Sequence, residues 1–202
     1  MLENKDIIQE QQKSSYFKLE DIKVMKLNDE LMICPYDAMW YFEAPDAKIL
    51  PQMAESADIK KYLPGLELST EEECKKTLQG FMMAPEQGIG FTHVIRYQNF
   101  PIGMIIVNSP KYNEKVLNLR IWTCDFFITS MFARQGIMTM CLNKVMRQLM
   151  GMQVNFLYAV VEPSNRPCIG LLHKCAFTEI DNSHFHNKNH GEADPLVYRI
   201  NL

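Results

Sequence analysis

The chain has 202 residues, 47% hydrophobic and 22% charged, and its 21 Lys+Arg against 24 Asp+Glu leave a net charge of -3. That length and composition support one packed domain and exclude disorder as the overall state. The mild acidic balance gives no electrostatic case for a nucleic-acid partner, and no run of about 18 uncharged apolar residues offers a membrane-spanning helix.

Residues Met1 to Lys13 are polar and hold no apolar signal-peptide core. The charged, Gln-rich segment 1–20 reads as an N-terminal arm, and 21–202 as a single domain. Leu31 to Pro35 is a short apolar run ended by proline, which predicts a strand. The stretch 37–62, with Pro45 and Pro51, predicts one or two short helices. Ser69-Thr70-Glu71-Glu72-Glu73 is a helix start, because a hydroxyl and the carboxylates satisfy the first amides and the positive dipole end. That helix is expected to run to about Met83, before Pro85.

Gly90 to Tyr97, a Gln98-Asn99 turn, Pro101 to Asn108 and then Val116 to Ile128 predict an antiparallel meander, with Ser109-Pro110 ending its second strand. The period then changes. Ile137, Met140, Cys141, Val145 and Leu149 recur at spacings of three and four, one face of a helix over 136–150 closed by Gly151. Val154 to Val161 predicts a strand, Asn165 to Cys175 a short helix with Ile169, Leu171 and Leu172 inward, and Phe177 to Ile180 and Leu196 to Ile200 closing strands. A strand, a helix and another strand in succession predict one parallel pair. The expected fold class is therefore α+β, a mixed, mostly antiparallel central sheet flanked by helices.

The six cysteines (Cys34, Cys74, Cys124, Cys141, Cys168, Cys175) lie among apolar residues without a CxxC pair, which reads as reduced thiols of a cytoplasmic protein. Two junctions can carry chemistry. At Ala133-Arg134-Gln135-Gly136-Ile137-Met138 an apolar strand runs into a helix, whose first amides and dipole suit a phosphate, with Arg134 adding charge. The alternative there is a plain turn built on Gly136. At Asn165-Arg166-Pro167-Cys168, Asn165 either caps the next helix or faces a ligand.

Taken together, Arg134-Gln135-Gly136-Ile137-Met138-Thr139, Val160-Val161-Glu162-Pro163-Ser164-Asn165 and Leu171-Leu172-His173-Lys174-Cys175-Ala176-Phe177 resemble the signature of the GNAT superfamily of acyl-CoA N-acyltransferases. The likeness is greatest to the branch of ribosomal-protein N-terminal acetyltransferases. It extends weakly to Cys34-Pro35 and Ile59 to Leu63 and covers roughly 31–202. The resemblance implies a GNAT-like fold over 21–202 and acetyl-CoA as cosubstrate. In the family the amides of the loop, here Arg134, Gln135, Gly136, Ile137, Met138 and Thr139, hold the pyrophosphate. The backbone of Phe126, Phe127 and Ile128, together with Asn165, would hold the pantetheine arm. The acceptor would be an amine, on a protein N-terminus or a small molecule, and a homodimer is the assembly that many relatives share. The chain departs from the pattern at Ala133, where Gln or Arg is usual, and at Ala176, where glycine is usual before Phe177. Leu172 replaces the tyrosine that serves many relatives as general acid, and Cys168 stands where serine is common. A non-catalytic acyl-CoA-binding module of the same fold is the alternative these departures raise.

Direct acetyl transfer needs a neutral amine. A lysine amine (pKa about 10.4) demands a general base more than an α-amine (about 7.7–8.0) does. Asp125, an acid inside an apolar strand, is the first candidate base, with a solvent-facing or sheet-partner role as its alternative. Glu162, at the end of the next strand, is the second, its alternative being an exposed strand end. Cys168 either donates to the leaving sulfur or fills apolar space. The stretch His184 to His190 reads as a solvated loop, a substrate contact or, lacking a fourth ligand, less readily a metal site. Trp40, Tyr41 and Phe42 read as core, lid or acceptor-pocket aromatics.

Overall fold

The computed structural model describes residues 21–36, 46–181 and 194–202. The arm 1–20, the Trp40-Tyr41-Phe42 cluster and the histidine-rich loop lie outside the described residues.

The strands are β1 (Met25–Lys26), β2 (Leu31–Pro35), β3 (Gly90–Tyr97), β4 (Phe100–Asn108), β5 (Thr123–Ile128), β6 (Phe156–Val161), β7 (Thr178–Ile180) and β8 (Leu196–Asn201). They form one 8-stranded sheet in the order β1-β2-β3-β4-β5-β6-β8-β7. Every described pairing is antiparallel except β5 with β6, which is parallel, so the expected mixed sheet is present. Gln98 (φ 48) and Asn99 (φ 70) both take the left-handed conformation, and their twist suits the tight β3–β4 hairpin.

The helices are α1 (Asp46–Ser56), α2 (Ile59–Tyr62), α3 (Glu71–Met83), α4 (Pro110–Val116), α5 (Ile137–Gly151) and α6 (Arg166–Lys174). At the start of α3 the expected cap takes a reciprocal form. Thr70 Oγ1 accepts from the Glu73 amide at 3.2 Å, and Glu73 Oε2 accepts from the Thr70 amide at 3.0 Å.

Strand alternation gives the sheet two apolar faces. On one face Ile33, Phe91, Ile105, Val107 and Cys124 pack with Cys141, Leu142, Val145 and Leu149 of α5. Each such fully buried aliphatic side chain contributes roughly 1.5–3 kcal/mol, which is what holds α5 on the sheet. On the other face Val94, Met104 and Phe127 pack with Leu50 and Met53 of α1 and with Cys74 and Leu78 of α3. Among the described residues no helix is long and apolar enough to cross a membrane.

One expectation is corrected. The segment 116–128 is not one long strand: Pro110–Val116 is the helix α4, and β5 begins only at Thr123. Ser109-Pro110, read as a strand stop, is also a helix start, because proline at the first helical position loses no hydrogen bond. The buried Asn113 side chain then ties α4 to the carbonyls of Asn108 (3.3 Å) and Ile121 (2.8 Å). Asn118, with φ 56, turns the chain out of the helix.

Candidate active site

The parallel strands β5 and β6 share a single register pair, Thr123 with Tyr158. Beyond it β5 ladders with β4 and β6 with β8, while the inner edges at Phe126–Ile128 and Ala159–Val161 do not ladder with each other. Backbone amides and carbonyls on such edges call for a partner. The gap opens into a groove of about 970 Å³. Its walls are β5, the loop to α5, the end of β6, α6, and the α1–α2 junction with Asp58 and Tyr62.

The loop explains one end of the groove. After β5 a 3-10 turn (Ser130–Phe132) leads to Arg134 with φ 62 and Gly136 with φ 78. Gly136 occupies the N-cap position of α5 and brings no capping side chain, so the first amides of that 15-residue helix lack an intrahelical acceptor. A Cβ placed on Gly136 would meet nothing within 4 Å. The helix start is thus open, electropositive and accessible, which is what an anion requires.

Of the cofactor-binding residues expected from the sequence, Phe126, Phe127, Ile128, Arg134, Gly136, Ile137, Met138, Thr139 and Asn165 line the groove. Gln135 does not line it; its side-chain amide donates to the Met131 carbonyl at 2.9 Å and braces the turn. Asn165 is a helix cap that also lies beside the groove. Its Oδ1 accepts from the Cys168 amide at 3.2 Å, capping α6, and the residue still borders the groove.

Asp125, Glu162 and Cys168 also border the groove. Asp125 is half-buried, and Asn108 Nδ2 donates to its Oδ2 at 3.0 Å. Alternation puts Asp125 on the same sheet face as Phe127, the face covered by α1 and α3, whereas Cys124 and Phe126 turn toward α5. Burial pushes the Cys168 thiol up to about 12, and the Asp125 carboxylate adds to the effect, so the sulfur keeps its proton at neutral pH. Leu172 is fully buried in the core under α6 and does not border the groove, so that position supplies no proton donor.

Sequence reasoning missed two cations. Arg166 and Lys174 line the groove on either side of Gly170. The spacing 166, 170, 174 was the available signal, since residues four apart form one stripe of a helix. A Cβ at Gly170 would meet nothing within 4 Å, so the glycine keeps the middle of that stripe open.

The fold is shared with known proteins. Residues 41–178 match the family model of the acetyltransferase (GNAT) domain. The chain belongs to the GNAT acetyltransferase family, whose members transfer an acetyl group from acetyl-CoA to an amine. No curated protein matches the sequence. Solved structures share the fold at low identity. The acetyltransferase from Salmonella typhimurium that modifies the N-terminal serine of the 50S ribosomal subunit protein L7/L12 aligns with TM-score 0.69 and 15% identity over 89% of this chain and 99% of that one. The ribosomal-protein-S5-alanine acetyltransferase from Vibrio fischeri aligns at 0.66 and 14%, over 88% and 96%. The microcin C7 self-immunity acetyltransferase MccE, in complex with acetyl-CoA and AMP, aligns at 0.65 and 15%, over 87% and 94%.

The groove fits the cosubstrate of this family. It pairs an uncapped helix start for a pyrophosphate with two unladdered strand edges for the amides of a pantetheine arm.

Proposed function

We propose that the chain acetylates an amine in this groove, with Asp125 as the general base, and that 21–202 act as one catalytic domain. The carrying observation is that the splay of β5 from β6, the uncapped start of α5 and Asp125 all border one cavity. Bound acetyl-CoA supplies a thioester whose carbonyl carbon is attacked by the amine and whose sulfur leaves. Arg134, Gly136, Ile137, Met138 and Thr139 would hold the phosphates, with Arg166 and Lys174 adding charge from α6. Phe126 to Ile128 and Asn165 would hold the arm. Asp125 takes the proton from the attacking amine, and Glu162 stands second to it on the β6 side. The Cys168 thiol, kept protonated by its burial, is suited to donate a hydrogen bond toward the leaving sulfur.

The solved neighbours that modify ribosomal-protein N-termini support a protein α-amine as acceptor, which also needs less help from a base than lysine does. All six cysteines are free, which supports a reducing, cytoplasmic setting.

The test is thiol release from acetyl-CoA across a panel of peptide and small-molecule amines, for the wild type and for Asp125→Ala. With one positioned base lost, kcat is expected to fall about 10²–10⁴-fold while coenzyme A binding is retained. An unchanged kcat on a good acceptor would remove Asp125 from the role. Coenzyme A binding without turnover on any amine would favour the binding-module reading.

A further inference from the structure

Behind the groove, the corner formed by β4, α4 and β5 carries a connected set of polar side chains. Asn108 ends β4 and lies opposite Thr123, which begins β5. Two residues on, Asp125 stands on the same face. Asn108 Nδ2 donates to Asp125 Oδ2 at 3.0 Å and approaches Thr123 Oγ1 at 3.4 Å. From α4, Asn113, only 2% exposed, donates through Nδ2 to Thr123 Oγ1 at 3.1 Å, to the Ile121 carbonyl at 2.8 Å and to the Asn108 carbonyl at 3.3 Å. Thr123 Oγ1 donates back to Asn113 Oδ1 at 3.4 Å. Ser109, fully buried, fixes the next residue through its amide on the Ile89 carbonyl (2.9 Å) and its hydroxyl on the Gly88 carbonyl (2.7 Å).

Polar side chains at buried positions are costly unless they bond. Here the network runs outward from a buried asparagine and reaches a half-buried carboxylate on the groove wall.

We propose that Asn108 is a positioning residue for acetyl transfer: its amide fixes the rotation of the Asp125 carboxylate that receives the amine's proton, and Asn113 with Thr123 holds Asn108 in place. The inference rests on reading Asp125 as the base. Asp125 is electrostatically coupled to Tyr112 of α4, Cys124 of β5 and Cys168 of α6, each an acid whose pKa is raised chiefly by its own burial. From the α1–α2 side Asp58 and Tyr62 border the same groove, Arg134 and Glu162 border it from the loop and β6, and Arg166 and Lys174 from α6. Against the neutral neighbours, a hydrogen bond aimed at the carboxylate favours its charged form.

The test uses the full chain with Asn108→Ala and the near-isosteric Asn108→Asp, the second guarding against a packing defect in the first. The Asp125 carboxyl carbon is titrated by NMR in the absence of acetyl-CoA, and the pH profile of acetyl transfer is measured in parallel. Losing one hydrogen bond to a charged group should raise the Asp125 midpoint in Asn108→Ala by about one pH unit. It should rise further in Asn108→Asp, where a second carboxylate faces the first. The acid limb of kcat/KM should move by the same amount, with kcat at pH 7 down about tenfold and KM for acetyl-CoA unchanged. Combining Asn108→Ala with Asp125→Ala should cost no more than Asp125→Ala alone. A midpoint that stays put in both folded variants overturns the proposal whether or not the protein turns over. So does a loss in the double variant that multiplies. A midpoint that moves in a protein that acetylates no amine leaves the positioning intact and removes the acetyl-transfer reading instead.

Discussion

Cys168 and Asp125 border one groove from different elements, and the Asp125 carboxylate adds to the effect of burial in raising the Cys168 thiol. A thiol raised to about 12 is a donor and a poor nucleophile. Iodoacetamide at pH 8 should therefore label Cys168 roughly three orders of magnitude more slowly than a free thiol of ordinary pKa, from the thiolate fraction alone. Peptide mass mapping gives the rate, and labelling as fast as that of glutathione would contradict the assignment. Asp125 was legible in the sequence because an acid inside Thr123–Ile128 breaks an apolar pattern, and such breaks need a reason. Asn108 was not legible. It ends a strand next to Ser109-Pro110, and only the β4–β5 register, 17 positions apart, brings it to Asp125. Arg166 was hidden similarly, as the unremarked neighbour of Asn165, until α6 turned it toward the groove.

Most helices and strands follow from patterns within a few residues, and the caps show where the chain departs from the best local choice. Helix α6 ends with the Phe177 amide on the Leu172 carbonyl at 3.0 Å and the Ala176 amide on the His173 carbonyl at 3.1 Å. This closing motif demands a left-handed residue, and Ala176 supplies it at φ 63 where glycine would be unstrained. Ala176→Gly is expected to stabilise the fold by about 1 kcal/mol, raising Tm by about 2–4 °C; a lower Tm in thermal melts would argue against strain at this position. Gly103 is the opposite case. It pairs with Ile128, and a Cβ there would lie 2.4 Å from the Phe127 carbonyl oxygen. Gly103→Ala should push the end of β5 into the groove, costing about 1–3 kcal/mol and weakening coenzyme A binding. Calorimetric titration beside a melt would show both effects, and wild-type behaviour in each would mean that the strand yields freely. Helix α4 escaped the sequence reading because Ser-Pro fits a strand end and a helix start equally well. Here it is both, since β4 ends at Asn108 and α4 begins at Pro110.

At the scale of the molecule a buried polar contact between the sheet and α5 responds to pH. His93, in β3, is fully buried, with Nε2 3.1 Å from Gln148 Oε1 of α5. Burial lowers its pKa from 6.5 to about 4, against the opposing pull of hydrogen bonds to Gln148 and the Cys34 backbone. The unfolded chain binds this proton below pH 6.5 and the folded one only below about 4. Unfolding therefore takes up a proton within that window. Stability falls as pH drops through it, by on the order of 3 kcal/mol, and is then flat with respect to this group. Urea unfolding at pH 7 and pH 4.5, with His93→Gln as the control, isolates the contribution; equal pH dependence in the two proteins would refute it.

By itself the sequence determined most of the elements, α4 apart, the capped start at Thr70, the open helix start at Gly136 and the acid at position 125, because each depends on neighbours a few residues away. Only the tertiary structure decided how far β5 parts from β6, that Asn108 reaches Asp125, and that Arg166 and Lys174 border the same groove as Arg134. Those outcomes depend on register and splay between distant segments, and the burial energy that sets them is distributed over two cores rather than written in any one stretch of chain.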